Sequence, residues 1–88
     1  MKKVIIVGST SGMGKELAIL YSSNGYEVGL VGRRGTILKD LTMALPTKSF
    51  ALELDVTDTV KAISHIERLI NDMSGVDIII ISSGVGIS

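Results

Sequence analysis

Four short apolar runs, separated by segments of helical periodicity, limit the folds that this sequence can adopt. The runs cover residues 3–7, 27–31, 50–54 and 76–81, and a helical segment follows each of the first three. Strands that alternate with helices in this way form parallel α/β sheets. With right-handed crossovers, we expect the order β-α-β-α-β-α-β, a strand order of 3-2-1-4 and helices on both faces of an open parallel sheet.

The apolar residues of each segment predict how it packs. In the third strand Phe50, Leu52 and Leu54 alternate with Ala51 and Glu53, which indicates an edge strand. The fourth strand is apolar throughout, as in the centre of a sheet, although the sequence ends before a fifth strand could cover it. We expect inward-facing residues at Met13, Leu17, Leu20 and Tyr21 in the first helix, Ile37, Leu41, Ala44 and Leu45 in the second, and Val60, Ile63, Ile66, Ile70 and Met73 in the third. The predicted helix ends are Asn24-Gly25, Pro46 and Ser74-Gly75, and Asp58 is the predicted cap of the third helix.

Length and charge exclude several classes of protein. The 88 residues make one domain at most, which we interpret as a half-domain spanning residues 1–88, and its mean hydropathy of +0.46 is unlike that of a disordered chain. Nine basic and nine acidic residues leave no net field to attract nucleic acid or an anionic membrane. The longest apolar runs are too short to cross a bilayer, and the chain has no cysteine. We therefore expect a cytoplasmic protein without metal, membrane or nucleic-acid partners.

A glycine-rich loop joins the first strand to the first helix. Gly8 allows the chain to leave the strand sharply, Gly12 allows the backbone to approach a pyrophosphate, and Gly14 removes a side chain where the helix packs on the sheet. The helix N-terminus presents free N–H groups and positive partial charge to phosphates. The loop residues predicted to bind a dinucleotide are Gly8, Ser9, Thr10, Ser11, Gly12, Met13 and Gly14.

The same segment nearly fits a second phosphate-binding motif, the P-loop. Residues 9–16 read Ser-Thr-Ser-Gly-Met-Gly-Lys-Glu, so Ser9 stands where that motif requires glycine. Glu16 stands where a serine or threonine hydroxyl would bind Mg²⁺. Because both departures fall on functional positions, nucleotide triphosphate hydrolysis is the weaker alternative.

Two arginines follow the second strand, where an acidic residue would bind the ribose 2′-hydroxyl of NAD. The sequence there is Gly32-Arg33-Arg34, and guanidinium groups bind phosphate well. This pair predicts that NADP(H) is preferred over NAD(H), the alternative being two solvated surface charges. Asp55 and Val56 end the third strand at the same edge of the sheet. Asp55 could accept a hydrogen bond from the adenine amino group, with Val56 forming one wall of the adenine site, or Asp55 could help to cap the following helix.

Together these motifs resemble the short-chain dehydrogenases/reductases over essentially the whole chain. The landmarks are Gly8, Gly12 and Gly14, the Gly32-Arg33-Arg34 segment, Leu54-Asp55-Val56, and Asp77 before an apolar strand that leads to Gly84. The resemblance implies a Rossmann fold, pyrophosphate binding by the glycine loop, selection of NADP by Arg33, an adenine contact from Asp55, and close approach of the backbone at Gly84 to the cofactor. It also implies a parent oxidoreductase that transfers hydride between NADP(H) and an alcohol or carbonyl substrate.

The sequence departs from the family in two respects. The usual Asn-Asn-Ala-Gly after the fourth strand is Ile81-Ser82-Ser83-Gly84 here. The Tyr-x-x-x-Lys pair with which the family protonates a carbonyl is missing, because Tyr21 and Tyr26 are followed four places on by Gly25 and Leu30. His65, the single histidine, is predicted to lie on the surface of the third helix. We therefore expect this segment alone to be inactive, and the alternative function is a non-catalytic nucleotide-binding or oligomerisation module, with a homo-oligomer expected.

Overall fold

The protein forms a four-stranded parallel sheet with helices on both faces. The computed structural model describes residues 2–8, 12–55 and 59–82. In chain order the elements are β1 (Lys3–Val7), α1 (Gly12–Ser23), β2 (Glu27–Gly32), α2 (Gly35–Ala44), β3 (Ser49–Glu53), α3 (Thr59–Asp72) and β4 (Ile78–Ile81). The strand order is β3-β2-β1-β4, and all three strand pairs are parallel. The predicted Rossmann-type sheet is therefore confirmed, together with β3 as an edge strand.

The sheet separates two apolar cores. Val4, Ile6, Val28 and Leu30 face α1 and α2. On the opposite face, Ile5, Val7 and Val31 pack with the last turns of α3. The β-branched residues of β1 are buried from both sides, because both neighbouring strands and both helix layers cover them.

Small residues bring α1 close to the sheet. The buried positions of this helix are Gly14, Ala18 and Ser22, which recur every four residues. The predicted inward face is therefore wrong at Met13 and Leu20, which are exposed, whereas Leu17 and Tyr21 pack at the margin of the core. A helix that packs closely on a sheet turns its smallest side chains inward and moves larger ones to the flanks.

The apolar stripes of the other two helices agree with the prediction only in part. In α2 the buried residues are Leu38 and the predicted Leu41, followed by the predicted Leu45 at the C-cap, whereas Ile37 is half-buried and Ala44 is exposed. In α3 the buried residues are Ala62 and Leu69, with the predicted Met73 just after the helix, and the predicted Ile66 and Ile70 pack partly buried against the same core. Val60 and Ile63 are exposed, because the described elements cover only the part of the stripe that faces β1, β2 and β3.

The turns predicted from the sequence are largely present. Gly25 has a φ of +86° after α1, and Ser74 and Gly75 adopt φ values of 62° and 104° after α3. The second helix ends at Ala44, with Leu45 at the C-cap before Pro46. Asp58, the predicted cap of α3, lies outside the described residues. Among the described helices, none is both long and apolar enough to span a membrane.

Candidate functional site

The predicted site residues that can be described lie at one edge of the sheet, where the parallel strands end. At this edge, the residue that follows each of three strands donates one more backbone hydrogen bond to the neighbouring strand. These bonds run from Gly8 N–H to Val31 O (2.6 Å), from Leu54 N–H to Gly32 O (2.8 Å) and from Ser82 N–H to Val7 O (2.8 Å). In open α/β sheets, ligands bind at this edge, beside the point where the chain reverses its direction of strand addition. Here that point lies between β1 and β4, because β2 and β3 are added on one side of β1 and β4 on the other.

Gly8 allows the chain to turn at the end of β1 and allows β4 to approach. Its φ is +92°, a conformation that residues with a Cβ rarely adopt. A Cβ at this position would lie 1.8 Å from the backbone carbonyl oxygen of Ser82. The sharp exit expected at Gly8 is therefore present, and the sequence did not reveal the second constraint, which is contact with the backbone after β4.

The N-terminus of α1 opens on the same edge. Gly12 begins the helix and is exposed, and a Cβ built on it would meet no atom within 4 Å among residues 2–8, 12–55 and 59–82. Met13 is exposed beside it, whereas Gly14 is buried on the side of the helix that faces the sheet, as predicted. Ser9, Thr10 and Ser11 lie outside the described residues. The open surface at Gly12 is suited to close approach of a ligand to the backbone.

Arg33 and Arg34 link β2 to α2, and both side chains are exposed. Arg34 occupies the N-cap position of α2 but makes no side-chain capping hydrogen bond. The two arginines thus stand at the carboxyl edge of the sheet, next to a helix N-terminus.

The end of β3 supplies acidic groups at this edge. Asp55 is exposed two residues beyond the strand, while Val56, its predicted companion in the adenine site, lies outside the described residues. Glu53, the last residue of β3, accepts a hydrogen bond at Oε2 from the backbone N–H of Gly35, at 3.0 Å. This contact was missed at the sequence level; the available signal was a lone acidic residue at the end of an otherwise apolar edge strand.

Ser82, the residue that follows β4, has a buried hydroxyl group at the same edge of the sheet. The residue is 2% exposed, and its Oγ has no hydrogen-bond partner within the described part of the chain. Buried hydroxyl groups without a partner are uncommon in native structures. Ser82 stands where the related family has its second asparagine, and Gly84 and Ser83, which follow it, lie outside the described residues.

Other chemistry is sparse in the described ranges. His65 is exposed on α3, as predicted, and lines a shallow groove with Arg68 and Asp72, away from the edge described above. Within residues 2–8, 12–55 and 59–82, no three histidine, aspartate or glutamate side chains are grouped as metal ligands would be. The functional features of the described residues therefore concentrate at the carboxyl edge of the sheet.

Comparisons with known proteins agree with this architecture. The chain is 29% identical to an uncharacterized oxidoreductase of Mycobacterium tuberculosis over 97% of its own length and 36% of the relative. It is 31% identical to a probable NADP-dependent dehydrogenase of Dichelobacter nodosus, covering 96% of this chain and 79% of that protein. Among solved structures, a betaketoacyl-[ACP] reductase (FabG) from Bacteroides thetaiotaomicron superposes with a TM-score of 0.82 at 26% identity, over 94% of this chain and 40% of that one.

The comparisons also show how much of each relative's length this chain covers. The chain spans about a third of the length of the first relatives it resembles, 36% for the mycobacterial oxidoreductase and 33% for a short-chain type dehydrogenase/reductase from Mycobacterium marinum. The sequence model of the short chain dehydrogenase family matches residues 2–88, nearly the whole chain. With the strand order and the glycine-rich edge already established, the chain belongs to the short-chain dehydrogenase family.

Proposed function

We propose that this chain is the NADP(H)-binding segment of a short-chain oxidoreductase. The observation that carries the proposal is the composition of the carboxyl edge, where an open helix N-terminus at Gly12 lies on the same edge as the exposed Arg33 and Arg34. NADP(H) can use both features, because its pyrophosphate favours free backbone N–H groups and its 2′-phosphate favours guanidinium groups. The relative from Dichelobacter nodosus carries the name of a probable NADP-dependent dehydrogenase, which supports the same assignment.

The residues present fit such a cofactor. Among the described residues, no atom lies within 4 Å of a Cβ built on Gly12, so the backbone can be approached there. Ser82 Oγ, which has no hydrogen-bond partner in the described part of the chain, provides a hydrogen-bonding group at the same edge. In this proposal Gly8, Gly12 and Gly14 shape the pyrophosphate site, Arg33 and Arg34 hold the 2′-phosphate, and Asp55 accepts a hydrogen bond from adenine. Ser9, Thr10, Ser11, Met13, Val56 and Gly84 complete the proposed cofactor-binding set.

The chemistry of the intact protein would come from the bound nicotinamide, which supplies or accepts hydride. We propose that the intact parent interconverts an alcohol and a carbonyl compound in this way, with proton transfer by residues other than those of this segment. The sequence has no Tyr-x-x-x-Lys pair, so the contribution of these residues is to bind and orient the cofactor.

The proposal is tested by titrating NADPH, and separately NADH, with the purified 88-residue chain while following cofactor fluorescence, because the chain has no tryptophan. We expect both cofactors to bind, NADPH more tightly. We expect Gly12→Ala to weaken both by about tenfold or more, equivalent to about 1.4 kcal/mol, because a methyl group would intrude between backbone and pyrophosphate. The unfolding midpoint should remain unchanged, since the added Cβ contacts no described residue within 4 Å.

Absence of binding by the unmodified chain would contradict the proposal. Equal binding of the two cofactors would leave a dinucleotide site but refute the preference for NADP(H). Unaltered binding by Gly12→Ala would refute the assignment of the pyrophosphate to the N-terminus of α1.

Self-association is a second candidate function, favoured by the outer edge of β4. Among the described strands, β4 pairs only with β1, and Ile79 and Ile81 are 47% and 67% exposed. An apolar strand with an open edge is a template for pairing with another strand. We expect sedimentation velocity to show a dimer whose fraction rises with concentration and falls in an Ile81→Lys variant. Met43→Lys, at a position 79% exposed on α2, is the matched control, and a monomer at all concentrations would contradict this function.

A further inference from the structure

The N-terminus of α2 obtains its capping group from a neighbouring strand. Arg34 at the N-cap forms no side-chain capping bond, and the first turn of α2 contains no acidic residue. A helix N-terminus nevertheless favours a negative group, because its first N–H groups have no partners within the helix. Glu53 meets this need from β3, by accepting the hydrogen bond of the Gly35 N–H.

The fit between Glu53 and Gly35 depends on both residues. Parallel pairing sets Glu53 beside Gly32, so its side chain starts three residues before Gly35 along the neighbouring segment. A Cβ on Gly35 would lie 2.9 Å from Oε2 and 3.1 Å from Oε1 of Glu53. Both carboxylate oxygens therefore rest against the position that a side chain would fill, and the glycine makes this close approach possible.

The carboxylate of Glu53 consequently lies at the N-terminus of α2, next in the chain to the two arginines of the proposed cofactor site. Arg33 and Arg34 immediately precede Gly35, and the positive end of α2 adds to their charge. A 2′-phosphate held by these arginines would be a second anion near this helix N-terminus. This phosphate could bind the arginine side chains, but the Gly35 N–H is already hydrogen-bonded to Glu53. The negative charge of Glu53 would also repel the phosphate.

We propose that Glu53 is a specificity-determining residue that limits the preference for NADP(H) over NAD(H). This inference rests on the proposed cofactor function. It adds a residue whose negative charge opposes the effect of Arg33 and Arg34 on binding of the 2′-phosphate. Glu53 keeps α2 and the preceding arginine segment in position, and the same charge lowers the affinity for a 2′-phosphate. NADH, which has a hydroxyl group at that position, is affected little.

The test compares Glu53→Gln with the unmodified chain in titrations with NADPH and NADH. The glutamine amide oxygen can still accept the Gly35 hydrogen bond, so the substitution removes charge while retaining the cap. We expect NADPH to bind about three- to tenfold more tightly, the range for repulsion between nearby exposed charges, and NADH to change less than about twofold. The gain for NADPH should shrink as salt is raised, because the repulsion is screened.

Glu67→Gln is the matched control. It removes one exposed carboxylate from α3, on the opposite face of the sheet from α2, and so produces the same change in net charge. An equal gain for NADPH in this control would overturn the proposal, since net charge alone would then account for the effect. An unchanged or lower NADPH-to-NADH affinity ratio in Glu53→Gln would also overturn it. If the unmodified chain bound neither cofactor, the proposed function itself would fail, and this inference would fail with it.

Discussion

Replacing Arg33 with alanine is expected to weaken NADPH binding by about 10- to 150-fold, the equivalent of one charge-assisted hydrogen bond of about 1.5–3 kcal/mol. NADH should lose less than about threefold, because it carries no 2′-phosphate. The side chain is exposed at the end of β2, so its removal disturbs no packing. The Gly35 N–H is already bound to Glu53, which leaves the arginine side chains as the main partners that these residues offer to the phosphate.

The measurement is isothermal titration of the chain with NADPH and NADH, repeated with 2′,5′-ADP and 5′-AMP, which differ only in the 2′-phosphate. Arg68→Ala provides the control, because Arg68 is exposed on α3 away from the carboxyl edge. It should leave all four affinities nearly unchanged. Equal losses for NADPH and NADH in Arg33→Ala would contradict the assignment of the 2′-phosphate to this arginine.

The overall topology could be predicted because it depends on local patterns and on chirality. The β-branched run at β1 and the alternation at β3 each identify a strand from its own residues. The right-handed crossover rule then limits the possible topologies, and the order typical of dinucleotide-binding sheets is 3-2-1-4. No long-range contact had to be known for this step.

The packing of the helices could not be predicted as well, because the largest apolar residues do not always face the core. In α1 the inward positions are the small residues Gly14, Ala18 and Ser22, which a search for large apolar side chains passes over. In α3 Val60 belongs to the apolar stripe but is 80% exposed. Periodicity identifies a helix, whereas the rotation of that helix depends on how closely the opposing surface approaches.

The sequence singled out individual residues of the candidate site, but it did not predict the contacts between them. Gly8, Gly12 and Arg33 stand in recognisable positions relative to a strand or a helix, so the sequence alone singles them out. The contact between Glu53 and Gly35 joins residues from different elements, and it depends on the register of β2 and β3. No spacing rule connects two such residues, and their contact becomes evident only when the strands are paired.

Gly8→Ala is expected to have the largest effect on stability. The alanine Cβ would lie 1.8 Å from the carbonyl oxygen of Ser82, a backbone atom that cannot rotate away as a side chain could. Relief requires the ends of β1 and β4 to separate and break the Ser82 N–H to Val7 O hydrogen bond. We expect this separation and the strained φ together to lower the free energy of unfolding by at least about 3 kcal/mol. Because small domains have a free energy of unfolding of roughly 5–15 kcal/mol, this loss removes a large part of their stability.

Gly25→Ala separates the two causes of this loss. Gly25 has a similar φ of +86°, but a Cβ there would meet no atom within 4 Å in the part of the chain that the structure describes. The variant should therefore lose only the backbone term, about 1–2 kcal/mol. Urea unfolding followed by circular dichroism gives both values. If the two variants lost equal stability, the approach of Ser82 to Gly8 would not contribute, and the glycine would be required only for its backbone conformation. A substantially greater loss in Gly8→Ala would instead show that the glycine is needed because the end of β4 lies against it, which links the first residue of the glycine-rich loop directly to the strand on its far side.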